Sequence, residues 1–138
     1  MNKNKEIMES GDDSYKPYAF IYSEMPSVIQ SADVVLSRSG ANSLWECAVL
    51  KKPMVLVPLC GSGTRGDQVE NAKFFEENNA AMVLLGDDAD SEHLKNALTK
   101  MLDKTTRKAF ADSCSNMVDK IPPARKIADL IFMGVVSK

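Results

Sequence analysis

Cysteine, histidine and net charge are all scarce in this chain of 138 residues, which has three cysteines and a single histidine. Cys47, Cys60 and Cys114 stand far apart with no C-x-x-C pair, so neither a disulfide framework nor a zinc site is indicated. A reducing, cytoplasmic setting fits that usage. No run of about eighteen apolar residues occurs. The opening stretch MNKNKEIMESGDDSYK has no apolar core of signal-peptide type. The expectation is a protein that neither spans a membrane nor enters the secretory route. Seventeen basic against nineteen acidic side chains leave a net charge of −2, which offers no broad basic surface and argues against nucleic-acid binding. Also missing are a G-x-G-x-x-G fingerprint, a Walker loop, a nucleophile elbow and a carboxylate pair at catalytic spacing.

What is present is ordinary globular composition, 44% hydrophobic and 26% charged, at a length that suits one domain. Residues 1–16 read as a polar lead and order is expected from residue 17 onward. Strands are expected at Tyr18–Tyr22, Val34–Ser37, Pro53–Pro58 and Ala81–Leu85. Helices are expected over Met25–Ser31, Asn42–Leu50, Asp67–Asn78, Ser91–Leu102, Thr105–Val118 and Pro122–Met133. Strands alternating with helices predict an α/β fold, a Rossmann-like parallel sheet with helices on both faces. In such sheets ligands sit beyond the carboxyl ends of the strands, where helix N-termini offer free N–H groups and partial positive charge. The expected guest is anionic, with phosphate foremost.

Two loops stand at those positions. Ser39-Gly40-Ala41-Asn42-Ser43 follows the Val34 strand and reads either as a phosphate cradle or as a capped helix start. Gly40 there allows a positive φ or close approach of backbone to ligand. Ser43 and Glu46 have the spacing of a capping box, while a carboxylate at position 46 is equally suited to accepting hydrogen bonds from two ribose hydroxyls. The second loop, Leu59 to Gly66, ends in Asp67 and Gln68, which read as an N-cap and a first-turn residue or as partners for sugar hydroxyls. His93, in a polar helix start without a partner nucleophile, reads as a surface residue. Trp45, Met101, Met117 and Met133 read as packing residues.

Together SADVVLSRSGANSLWECAVLKKPMVLVPL and GDQVENAKFFEENNAAMVL resemble the MurG family, peptidoglycan enzymes that transfer N-acetylglucosamine from its UDP donor to lipid-linked muramyl-pentapeptide. The resemblance extends from Tyr18 to Leu85 and more loosely through the final helices. It implies that residues 17–138 are a partial UDP-sugar-binding domain, an incomplete C-terminal domain of a two-domain GT-B glycosyltransferase. It further implies that Ser39, Gly40, Ala41, Asn42 and Ser43 hold the diphosphate and that Glu46 holds the ribose. Asp67 and Gln68 would meet the sugar, and the backbone of Tyr22 the uracil. No metal or cofactor is implied. The glycine-rich acceptor loop and the opening strand with its GGS-type loop do not occur, so the resemblance implies a missing N-terminal acceptor domain or a partner chain. The alternative is a non-catalytic nucleotide-sugar-binding subunit or truncated remnant. Peripheral placement at the inner face of the membrane is implied by resemblance alone. Without the preceding strands the Val34 strand would be an open edge, predicting a homo-oligomer or a rearrangement of residues 1–22 to cover it.

Overall fold

A computed structural model describes residues 14–61, 66–118 and 128–133. Three strands, β1 (Val35–Ser37), β2 (Met54–Leu56) and β3 (Ala81–Val83), lie in that spatial order, each parallel to its neighbour. Five helices are interleaved with or follow them: α1 (Met25–Ser31), α2 (Ala41–Val49), α3 (Asp67–Glu77), α4 (Ser91–Met101) and α5 (Lys104–Met117), with a 3-10 turn at Gly86–Asp88 before α4. Residues 128–133 are also helical. The expected lead at residues 1–16 and the start of the last helix fall largely outside the described residues.

The middle strand explains the layering. Met54, Val55 and Leu56 are all buried, as a strand covered on both faces requires. Met54 and Leu56 pack with Leu44, Cys47 and Ala48 of α2, Ala72 and Phe75 of α3, and Cys114 of α5. Val55 packs the opposite way, with Ala97 and Met101 of α4 and partly buried Leu94, Leu98 and Phe110. The helical spacing of 44/47/48, 72/75 and 94/97/98/101 gives each helix one apolar stripe facing the sheet. Each fully buried large side chain, such as Leu44 or Phe75, contributes about 1.5–3 kcal/mol on leaving water.

Helices α2 and α3 end identically. Lys51 (φ 54°) and Asn79 (φ 53°) take the left-handed conformation after each helix. The Lys51 and Lys52 amides return to the carbonyls of Ala48 and Cys47, both at 2.9 Å. The Asn79 and Ala80 amides return to Glu76 and Phe75, both at 2.8 Å. These are paired Schellman closures, and each aims the chain directly into the following strand. The Cys114 thiol donates to the carbonyls of both Lys52 and Ala80 at 3.6 Å, so α5 braces the two exits.

Several expectations are corrected. Tyr18–Tyr22 forms no strand; Phe20 and Tyr22 are 78% exposed and stack on each other at 6.1 Å. An aromatic, β-branched segment becomes a strand only when it has an edge to pair with, and this one pairs with none among the described residues. Residues 14–22 therefore do not cover β1, which among the described residues pairs only with β2. Trp45 is 42% exposed, with one edge on Phe75 at a ring separation of 5.4 Å, and Met133 is exposed too. Met101 is buried and Met117 packs on the core as expected.

Candidate functional site

Three helices begin beyond the carboxyl ends of strands, and their first turns are not equivalent. At α4 the carboxylate of Asp90 accepts the His93 amide at 2.8 Å, so the helix start is satisfied by its own sequence. At α2 and α3 the N-caps are Gly40 and Gly66, with no side-chain cap. The first backbone bond of α2 runs from the Leu44 amide to the Gly40 carbonyl, so the amides of Ala41, Asn42 and Ser43 have no backbone acceptor among the described residues. Both starts lack a side-chain cap and present the positive end of a helix dipole, which favours negative charge nearby.

The glycines serve different ends. Gly66 has φ 78°, a left-handed residue opening α3. Gly40 has φ −68°, so of the two uses open to it, a positive φ and close backbone approach, the first is not taken. A Cβ on Gly40 would meet no atom within 4 Å, so the glycine leaves open space directly before the bare amides of α2.

The capping box is corrected as well. Because α2 starts at Ala41 with Gly40 as N-cap, Ser43 is its third residue and cannot pair with Glu46 across the helix start. Glu46 is exposed, and its carboxylate has no hydrogen-bond or ion-pair partner among the described residues. It lines a groove of about 460 Å³ between α1 and α2, with Pro26 and Ile29 on one wall and Asn42, Trp45, Val49 and Leu50 on the other. Burial foremost, and the Glu46 charge after it, push the neighbouring Cys47 thiol above its ordinary 9.0.

Asp67 is the first residue of α3 rather than its N-cap and is exposed. Gln68 turns its Oε1 to the Leu59 amide at 3.0 Å. Ser39 is fully buried, donating its hydroxyl to the Gln68 carbonyl at 2.7 Å and accepting Asn71 Nδ2 on its own carbonyl at 3.1 Å. The structure thus joins Ser39, Gln68 and Asn71 directly, and sets Asn42 and Glu46 on one groove wall. Tyr22 lies outside that lining, in the segment leading to α1, where its carbonyl accepts the Met25 amide at 3.2 Å. Sequence reasoning carries Asn71 only as part of the stretch that bears the family resemblance, without a role, and misses the groove wall of α1. The one signal for Asn71 is its spacing of three from Gln68, which sets both on the same helix face. Among the described residues no group of three or more His, Cys, Asp or Glu is arranged to hold a metal ion, and no helix is long and apolar enough to cross a membrane.

The candidate site is thus a parallel α/β layer with two helix starts that lack side-chain caps and an exposed carboxylate one turn along the first helix. The sequence matches the glycosyltransferase family 28 C-terminal domain over residues 1–131, and the chain belongs to that family. A curated relative from Treponema denticola, named UDP-N-acetylglucosamine--N-acetylmuramyl-(pentapeptide) pyrophosphoryl-undecaprenol N-acetylglucosamine transferase, is 51% identical over 76 residues, covering 55% of this chain and 19% of the relative. A protein of the same name from Treponema pallidum (strain Nichols) is 43% identical over 88 residues, covering 64% and 23%. That from Geobacillus kaustophilus is 38% identical over 98 residues, covering 71% and 28%. The chain therefore spans less than a third of the length of these relatives. Among solved structures, Spinosyn Forosaminyltransferase SpnP superposes with a TM-score of 0.67 at 17% identity, over 90% of this chain and 33% of that one, a likeness of fold.

Proposed function

We propose that this chain is the donor-holding part of a glycosyltransferase that moves N-acetylglucosamine from UDP-N-acetylglucosamine to lipid-linked muramyl-pentapeptide in peptidoglycan synthesis. The observation that carries the reading is Glu46: an exposed carboxylate, unpartnered among the described residues, one helical turn beyond the bare amides of Ala41, Asn42 and Ser43. In this reading those amides, with the open space before Gly40, take the diphosphate. Glu46 accepts from the two ribose hydroxyls, and Asp67 and Gln68 meet the sugar. The uracil stands against the backbone of Tyr22, outside the groove lining. The printed names of the relatives support the donor and acceptor.

The chemistry assigned to this domain is leaving-group stabilisation. As the bond from the anomeric carbon to the diphosphate breaks, negative charge grows on the phosphate oxygens, and preorganised amides at a helix start favour that charge without rearrangement. The acceptor and the base that takes its proton come from another domain or chain, so turnover requires that partner. The open edge of β1 is the place where further strands, from that partner or from a second copy of the chain, would join the sheet. Such an enzyme would work at the cytoplasmic face of the membrane, where the lipid-linked acceptor is held.

Calorimetric titration with UDP-N-acetylglucosamine, with UDP-glucose as comparison, tests the reading. We expect binding in the micromolar to millimolar range, selective for the acetylated sugar. Glu46→Ala is expected to weaken it by about 1.5–3 kcal/mol, the worth of hydrogen bonds to a charged acceptor. Equal affinity of wild type and variant would remove Glu46 from the site.

A further inference from the structure

The ties between the two loops form a connected set. Ser39 is the one buried polar side chain among the described residues, and both its hydroxyl and its carbonyl are engaged by α3. Gln68, whose carbonyl accepts that hydroxyl, uses its own side-chain oxygen to hold the Leu59 amide. Three hydrogen bonds of 2.7, 3.1 and 3.0 Å thus link the loop after β1, the first two turns of α3 and the start of the loop after β2. None belongs to a helix or sheet ladder, and two of them join residues 29 and 32 positions apart.

The need for such ties follows from what flanks them. The body of α2 is fixed by Leu44, Cys47 and Ala48, and that of α3 by Ala72 and Phe75, all in one core cluster. The first turn of α3 lies before that anchorage. It opens on left-handed Gly66 and has no side-chain cap of its own. A hydroxyl already donated to a carbonyl, on a residue with no exposed surface, is not positioned to touch a ligand. Ser39 therefore acts on a ligand only by fixing other groups.

We propose that Ser39 and Asn71 are positioning residues that hold the bare amides of α2 and the first turn of α3 at one separation. A nucleoside diphosphate anchored on α2 then presents its sugar to Asp67 and Gln68. This rests on the donor-site reading above and adds how diphosphate and sugar recognition are coupled. Removing the Asn71 tie leaves α2, its amides and Glu46 intact, so affinity for UDP alone persists while the gain from the attached sugar falls. A role confined to stability would lower the melting temperature and leave that gain unchanged.

The test compares the dissociation constants of UDP and of UDP-N-acetylglucosamine for the full chain as wild type, Asn71→Ala and Ser39→Ala. Both variants are first checked by circular dichroism at the working temperature. Asn71→Ala alters a half-exposed helix position and Ser39→Ala removes one oxygen, so the pair keeps the test usable where one variant fails to fold. We expect the UDP-N-acetylglucosamine to UDP affinity ratio to fall roughly tenfold in each, with UDP affinity changed less than about twofold. Amide exchange at Leu59, which Gln68 ties into the same network, is expected to quicken in Asn71→Ala. An unchanged ratio in folded variants of a binding wild-type chain overturns the proposal. A wild-type chain that binds neither compound overturns the donor-site reading itself, so the two failures are told apart.

Discussion

His93 and Asp90 show how much one residue pair can settle locally. Asp90 caps α4 through the His93 amide and also meets the imidazole Nδ1 at 2.9 Å, with Asp88 3.6 Å from Nε2. The side-chain hydrogen bond from Asp90, then its charge, raises the His93 pKa above 6.5. The backbone hydrogen bond from His93, then its side chain, lowers that of Asp90 below 3.8. The raised histidine contributes stability that is complete below its unfolded value and is lost as pH rises through its folded value. The lowered aspartate contributes stability that is present above 3.8 and is lost as pH falls through its folded value. We expect an NMR titration of His93 to give a midpoint above 6.5 that drops in Asp90→Asn. A midpoint that does not respond to the substitution would remove Asp90 as the cause. The contacts of this histidine all serve the helix start.

At the scale of the element, the two Schellman closures carry an avoidable cost. Lys51 and Asn79 sit at φ 54° and 53°, where a side chain is disfavoured by roughly 1–2 kcal/mol, less for asparagine. Lys51→Gly is expected to stabilise the fold by about 0.5–1 kcal/mol, and Asn79→Gly by less, measured by urea unfolding with an unchanged m-value. A loss of stability in Lys51→Gly would mean that the lysine side chain matters more than the strain. It is engaged nowhere among the described residues, whereas Lys52 donates to the carbonyls of Gln30 and Ala32. These elements also mark how far sequence could reach. The apolar cores of Val35–Ser37, Met54–Leu56 and Ala81–Val83, and the stop at Asn78-Asn79, were legible because periodicity and turn chemistry are local. The Ser43–Glu46 spacing misled because the N-cap is Gly40, three residues earlier, so that Ser43 already lies inside the helix. Tyr18–Tyr22 misled because strand propensity has no force without a partner strand. The links from Ser39 to Gln68 and Asn71 join residues 29 and 32 apart, a separation over which no sequence period reports.

Across the whole molecule, both outer strands, β1 and β3, pair only with β2 among the described residues. The Leu84 amide meets the Leu56 carbonyl, and the Val57 amide the Ser37 carbonyl, so the ladder bonds of the outer strands are spent on β2. In a parallel ladder the residue between two inward-pairing ones turns its backbone outward, and in β1 that residue is Leu36, itself 48% exposed. Helix α1, which precedes β1, buries no residue fully. An open edge flanked by apolar side chains pairs with other chains at high concentration. We expect sedimentation velocity to detect concentration-dependent association, and Leu36→Lys to reduce it without altering the helical signal. A chain that stays monomeric throughout would show that the edge is protected by its brevity of three residues.

The distribution of the thiols leads to a practical property. Cys47 and Cys114 are buried, and burial pushes the Cys114 thiol up to about 11, which leaves both almost wholly unionised at neutral pH. Cys60 is exposed and stands next to Leu59, at the point where the loop after β2 is fastened to Gln68. An alkylating dye should therefore label the native chain once, at Cys60 on the loop after β2, without any engineering of the sequence. Fluorescence from that single tag would report on the proposed binding of a nucleotide sugar, and the chain carries its own attachment point for an optical assay.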